Sequence, residues 1–337
     1  MTTLSVCIPT FERETLLERA LRSVIEGSER VANDIEIVVS DDSQDDRSAA
    51  VCERLLAEWP GSARRVQNRP GLGMVENFNR CVVEATGRYV LILHDDDYLL
   101  PGGAVAVLEA IVDHNDDSPV LLFGVDVVDD VGRLRRRQSF EFDTHVPPSD
   151  ALVRLLSNSS YVRFPGIVVR ADAYAVAGPF DATLGGTTDF DMWIRLFARH
   201  GVRCVPRRIS AYSVHRDAHT TGMFNPATIS TLVTIFDRVI ASGVMEKDVV
   251  RRCEADFFSQ FILGGAYRQL RLGDREHARE IMALSNLPAV RGLGPSRRWR
   301  PVRLAISVLI RAPGPLLSRT ARLLERLYPD TSILWPS

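Results

Sequence analysis

Apolar runs that end in acidic residues, alternating with helix-spaced segments, constrain this chain most. Leu4 to Ile8, Ile35 to Val39 and Tyr89 to Leu93 read as short strands, and Arg64 to Gln67 as a further one. Between them, Glu14 to Ile25 carries Leu17, Ala20, Leu21 and Val24 at helical spacing, and Ala49 to Trp59 and Glu76 to Ala85 repeat the pattern. Strands alternating with helices at this interval imply β-α-β units and an α/β fold with a mostly parallel sheet. In such sheets ligands gather at the carboxyl ends of the strands. Asp41 and the run Asp95 to Asp97 fall at two such ends.

The alternation continues with a helix over Gly103 to His114 and a strand over Val120 to Val125. "DDVGRLRR" reads as a hairpin turn bent at Gly132. A short helix from Asp150 to Leu156 and a strand from Gly166 to Arg170 follow, then a Gly-rich loop running into the amphipathic helix of "TTDFDMWIRLFARHG". Beyond Gly222 the character changes to helices over Ala227 to Ser242, Lys247 to Leu272 and Arg275 to Leu284. This places a boundary near Gly222, between an α/β domain, 1–222, and a helical extension, 223–337. From Arg291 on, nine arginines face only Glu325 and Asp330.

Composition narrows the function classes. The net charge is −2, without the basic excess of a nucleic-acid binder, so no nucleic-acid partner is expected. The five cysteines are far apart and form no C-x-x-C pair, which disfavours a zinc knuckle or a disulfide framework and fits a reducing, cytoplasmic setting. No stretch approaches the roughly 20 apolar residues of a membrane span, and no signal-peptide pattern opens the chain.

"LILHDDDYLLP", Leu91 to Pro101, sets three carboxylates at the end of a buried-type strand. One reading is a solvated turn. A Walker-B strand would need a phosphate loop with a lysine, but the single lysine, Lys247, has no Gly-rich loop before it. A phosphatase of the haloacid type would need D-x-D-x-[TV], and Tyr98 follows here. The remaining chemistry is a divalent cation shared between carboxylates and a diphosphate. In an extended segment Asp95 and Asp97 would point to one side.

Four stretches in order, "LSVCIPTFER", "IEIVVSDDSQDD", "NRPGLGMVENFNRCVVEATGRYVLILHDDDYLLP" and "TTDFDMWIRL", resemble the family 2 glycosyltransferases of GT-A fold, over about residues 4–216. The resemblance implies a Rossmann-like sheet flanked by helices, with Mg²⁺ or Mn²⁺ as cofactor. It implies sugar transfer with inversion from a UDP, GDP or dTDP sugar to a glycan or lipid-linked acceptor, in cell-surface polysaccharide or glycolipid synthesis. Pro9, Thr10, Glu12 and Arg13 then lie on the nucleotide-binding loop. Asp41 accepts from the base, with an Asx-type turn at Asp41 and Asp42 as the alternative. Asn77, shared with a helix-capping reading, Asp95 and Asp96 fall on nucleotide-sugar positions. Asp97 is the metal acid, and His94 replaces the first acid of the commoner form.

The family's base comes from an acidic pair that reads Thr188-Asp189 here, making Asp189 the candidate base. Thr188 with Asp191 also has the spacing of a capping box. His215 would complete the metal shell and Arg216 balance the leaving diphosphate. Two rivals remain. A sugar nucleotidyltransferase would want a glycine and a lysine that "CIPTFERE" lacks; a catalytically inactive sugar-nucleotide-binding module shares the fold. The arginine-rich tail suits either a helical lid or a peripheral contact with the inner face of the plasma membrane.

Overall fold

The computed structural model describes residues 2–114, 118–214, 222–294 and 296–311. Two compact units emerge: Met1–Ala151 with Val162–His215, and Leu152–Tyr161 with Arg216–Ser337. The first unit is built on a ten-stranded sheet. Its strands are β1 (Leu4–Thr10), β2 (Ile35–Asp41), β3 (Ser62–Gln67), β4 (Tyr89–Ile92), β5 (Tyr98–Leu99), β6 (Val120–Asp129), β7 (Leu134–Gln138), β8 (Thr144–Val146), β9 (Ile167–Arg170) and β10 (Val202–Val214). The helices of the chain as far as β10 are α1 (Glu14–Ile25), α2 (Arg47–Leu56), α3 (Met74–Glu84), α4 (Gly103–Asp113), α5 (Pro148–Ser157), α6 (Ala171–Ala177) and α7 (Thr188–His200).

The main path of the sheet runs β3-β2-β1-β4-β9-β6-β10-β5, with β7 added to β6 and β8 to β10. β3, β2, β1 and β4 are mutually parallel, as the β-α-β reading requires. Leu4, Val6 and Ile8 of β1 pack with Leu17, Leu21 and Val24 of α1 and with Ile35, Ile37 and Val39 of β2 in one buried core. The register pairs Pro9 with Ser40 and Thr10 with Asp41, so the carboxyl ends of β1 and β2 stand level.

Two expectations shift. The strand expected from Gly166 begins at Ile167, because Gly166 sits in a short 3-10 turn with Phe164, and it runs antiparallel to both β4 and β6. β10 went unread, because Pro206, Arg207 and Arg208 interrupt its alternation; the structure absorbs them as register irregularities against β6. The hairpin at Gly132 forms as expected, with Gly132 at φ 76° between β6 and β7.

The second unit is helical: α8 (Pro226–Ser242), α9 (Lys247–Arg271), α10 (Arg275–Ala283), α11 (Pro288–Leu293) and α12 (Arg300–Arg311). Asn225 caps α8 by accepting from Thr228 N, and Pro226 occupies the first turn, where its missing N–H costs nothing. Phe236 of α8 meets Phe257 and Phe258 of α9 with ring centres 5.4 and 5.8 Å apart. Among the described residues no helix is long and apolar enough to cross a membrane. Most of the arginine-rich tail, from 312 on, lies outside the described residues.

Candidate active site

β4 delivers its chain to the level of Thr10, and Leu93 N still donates to Cys7 O at 2.8 Å. There the backbone turns: Asp97 N donates to His94 O at 3.0 Å. Asp95 and Asp97 therefore do not project together from an extended segment. The turn sends Asp95 back toward the end of β1, where it accepts from Thr10 Oγ1 at 2.8 Å and meets Arg13 Nη1 at 3.5 Å. It brings His94, Asp96 and Asp97 to one side, where one ligand atom of each lies within 4.8 Å of the others. His94 is the residue the sequence reading set aside. Its place in an acidic motif at a strand end was the available signal.

Two arginines brace the turn. Arg13 Nη1 reaches Asp96 at 3.3 Å, and Arg19 donates to the Asp96 carbonyl and to Ser213 Oγ while stacking on Tyr98 at 4.8 Å. Asp97 is buried; Ser213 N donates to its Oδ1 at 2.8 Å, and its Oδ2 has no hydrogen-bond partner. Burial, then the charge of Asp96, pushes the Asp97 carboxyl well above the usual range. The same two causes lift Asp95 to about 6 against the pull of Arg13 and Thr10. A divalent cation reverses such shifts, since positive charge favours the ionised acids. The fit is good: a buried oxygen without a donor, a second carboxylate and an imidazole converge.

The carboxyl ends of β1 and β2 gather the other sequence candidates. Glu12 has the left-handed φ of 53°, unusual for a non-glycine, and its N–H donates to Ser43 Oγ at 2.8 Å. Asp41 is buried; its Oδ1 accepts from Ser43 N at 2.9 Å in an Asx turn and its Oδ2 pairs with Arg65 at 2.7 Å. Asp42 accepts from Leu72 N at 3.0 Å and Gly73 N at 2.7 Å, shaping the loop before α3. Asn77 does not cap a helix. Its Nδ2 reaches Thr10 O at 3.3 Å and its Oδ1 accepts from Asn68 at 3.3 Å, crossbracing the end of β1. Asn79 likewise grips the backbone of Phe180 through both its side-chain atoms.

Asp189 lies in the first turn of α7, where its Oδ1 accepts from Phe190 N at 2.7 Å. No capping box forms: Thr187 precedes the helix, and Thr188, already its first residue, has a buried Oγ1 without a hydrogen-bond partner. Asp191 is taken up by Arg195 one turn on, at 2.8 Å. Burial lifts the Asp189 carboxyl to about 6. Trp193, four residues on and so on the same helix face, packs on Phe164 at 5.2 Å. Phe164 in turn meets His94 at 4.4 Å, with Phe78 stacked on the same imidazole at 5.0 Å. An aromatic layer thus links the Asp189 face of α7 to the acid turn. His215 and Arg216 lie outside the described residues.

The profile of glycosyl transferase family 2 matches residues 5–175. An uncharacterized Mycobacterium tuberculosis protein, MT1568, is 32% identical over 246 residues, which cover 70% of this chain and 73% of its own. The GalNAc(5)-diNAcBac-PP-undecaprenol beta-1,3-glucosyltransferase of Campylobacter jejuni is 29% identical over 167 residues, 49% of this chain and 52% of that enzyme. Residues 1–349 of S. aureus TarS, crystallised with UDP-GlcNAc, share the fold with a TM-score of 0.61 at 16% identity, covering 98% of this chain and 92% of that one.

Proposed function

The chain belongs to glycosyl transferase family 2, and on that premise we propose that it moves a sugar from a nucleoside diphosphosugar to a hydroxyl of a glycan or lipid-linked acceptor, with inversion. Residues 1–222 are assigned to catalysis and 223–337 to a helical extension. The observation that carries the proposal is the turn His94–Asp97, with its buried Asp97 oxygen beside Asp96 and His94.

These three residues, with His215 as a further candidate, would hold Mg²⁺ or Mn²⁺; the mixed oxygen and nitrogen donor set suits Mn²⁺ well. Bound there, the cation supplies charge compensation for a diphosphate. Arg13 and Arg19 fix the turn, while Pro9, Thr10, Glu12, Asp41 and Asn77 shape the nucleotide end. Asp95 and Asp96 are assigned to the ribose side, and Arg216 remains the candidate for balancing the charge of the departing diphosphate. Asp189 takes the proton of the acceptor hydroxyl as that oxygen bonds to the anomeric carbon. The bond from that carbon to the diphosphate oxygen breaks, and its electron pair leaves with the nucleoside diphosphate.

The relatives support this reading in kind. The Campylobacter enzyme's name describes transfer of glucose to a glycan carried on undecaprenol diphosphate, and the TarS structure holds UDP-GlcNAc. For a peripheral membrane contact, α12 offers exposed Leu304 and Val308 flanked on the same stripe by Arg300 and Arg311. Flotation with anionic liposomes tests that contact.

The test of activity is release of nucleoside diphosphate from UDP-, GDP- and dTDP-sugars. Metal-dependent release from one donor, lost in Asp189→Asn, is expected. Metal-dependent binding without release, whatever acceptor is added, would favour the inactive binding module.

A further inference from the structure

Three adjacent strands line up Arg136, Val127 and Tyr212. Arg136 of β7 is registered with Val127 of β6, and Val127 with Tyr212 of β10. Residues paired across strands share a face, so the three side chains stand in one row. Arg163 lies over Tyr212, its guanidinium 4.8 Å from the ring centre, and is only 6% exposed. The row therefore carries one guanidinium at its β7 end and a second over the tyrosine at its β10 end.

Two arginines nearby have acids: Arg135 pairs with Asp129 and Arg208 with Asp126. Arg136 differs. Its Nη2 donates to Gln138 Oε1 at 3.2 Å, while its Nε and Nη1 are closed off from solvent and meet no acceptor. Burial and the like charge of Arg163 depress its pKa to about 10. Donors of a charged group left unmade are costly, and a second cation nearby adds to that cost. An anion answers both.

The row borders the active site. Ser213, next to Tyr212, donates its N–H to Asp97, and Phe164, next to Arg163, touches His94 and Trp193. Ser213 Oγ receives Arg19 of α1, whereas Tyr212, its alternate on the strand, faces away from that layer. The row thus shares the side of Phe164 and α7, where Asp189 stands, and not that of Arg19.

We infer that Arg136 and Arg163 form an anion subsite for a phosphate group carried by the acceptor, separate from the site of the donor diphosphate. The inference rests on the glycosyltransferase reading for the word acceptor only. A guanidinium fork matches phosphate oxygens in geometry as well as charge.

The probes are glycerol 1-phosphate and farnesyl phosphate, titrated into the full chain in EDTA so that no metal site competes. Both should bind and raise the melting temperature above a chloride control of equal ionic strength. Arg136→Gln should weaken both by about tenfold or more, and Arg136→Lys should recover part of that loss. Tighter binding of farnesyl phosphate assigns a lipid-borne phosphate; equal binding assigns a phosphate within a soluble glycan. No binding by the wild-type chain, or equal binding by Arg136→Gln, overturns the subsite. The wild-type measurement decides even where the variant fails to fold. Binding of UDP, GDP and dTDP with Mn²⁺, measured in parallel, reports on the glycosyltransferase reading independently.

Discussion

Ser213 N donates to Asp97 Oδ1 at 2.8 Å, tying the end of strand β10 to an acid 116 positions earlier in the chain. That bond fixes one carboxylate oxygen and leaves the other aimed beside Asp96 and His94. The placement of Asp97 therefore depends on the placement of β10.

Gly103 controls that placement. A Cβ there would stand 2.1 Å from the Ile209 carbonyl oxygen of β10, which already accepts from Leu100 N at 2.8 Å. Gly103→Ala must push α4 and β10 apart, at a cost of about 1–3 kcal/mol. Denaturant titration should show this loss, with weaker metal-dependent nucleotide binding at temperatures where the variant remains folded.

Glu36 is a buried acid with a structural task in the sheet. It accepts from Ser5 Oγ at 2.5 Å and from Thr86 N and Oγ1 at 2.9 Å each, and pairs with Arg64 at 3.2 Å. Glu36→Ala leaves these donors without their acceptor and should cost about 2–4 kcal/mol. Thermal unfolding checks it, and nucleotide binding by the folded fraction should be unchanged.

Asp189→Asn should lower kcat by about 10²–10⁴-fold while leaving donor binding intact, since the amide cannot take a proton. The same change should stabilise the chain. Asp189 titrates near 6 when folded against an ordinary 3.8, so its stabilising contribution is complete below the lower value and lost as pH rises through the higher. At pH 7 the ionised acid is a burden, and its removal should gain about 1–3 kcal/mol. A higher Tm with lost turnover is the expected pair of results.

The pH profile follows from the same group. A general base works only when ionised, so kcat should fall as pH drops through about 6, the value to which burial lifts Asp189. Measured from pH 5 to 8 at saturating metal, the limb should be absent from the residual rate of Asp189→Asn.

Much of the fold was legible, because β1, β2, β4 and α1 are specified by local patterns: buried runs such as Ile35 to Val39, and Leu17, Leu21 and Val24 at helical spacing. The direction of β9 was not, since a four-residue strand with three apolar positions carries no information on which neighbour it meets. β10 was hidden because its pairing with β6 tolerates Pro206 and two arginines through shifts in register that only the partner strand defines. The acid turn was visible as a cluster but not as a turn. Its shape comes from the Asp97 to His94 backbone bond and from Thr10, Arg13 and Ser213, residues remote in sequence. Arg65 as the partner of Asp41, and the row of Arg136, Val127 and Tyr212, are likewise products of strand register.

The most direct test of the account is calorimetric titration of UDP, GDP and dTDP, with and without Mn²⁺, into the wild-type chain and Asp97→Asn. The substitution keeps an acceptor for Ser213 N and removes the charge. The account predicts that one of the three nucleotides binds tightly only with Mn²⁺, and that Asp97→Asn abolishes the metal-dependent part. Binding that ignores the metal, or that survives Asp97→Asn unchanged, would contradict it.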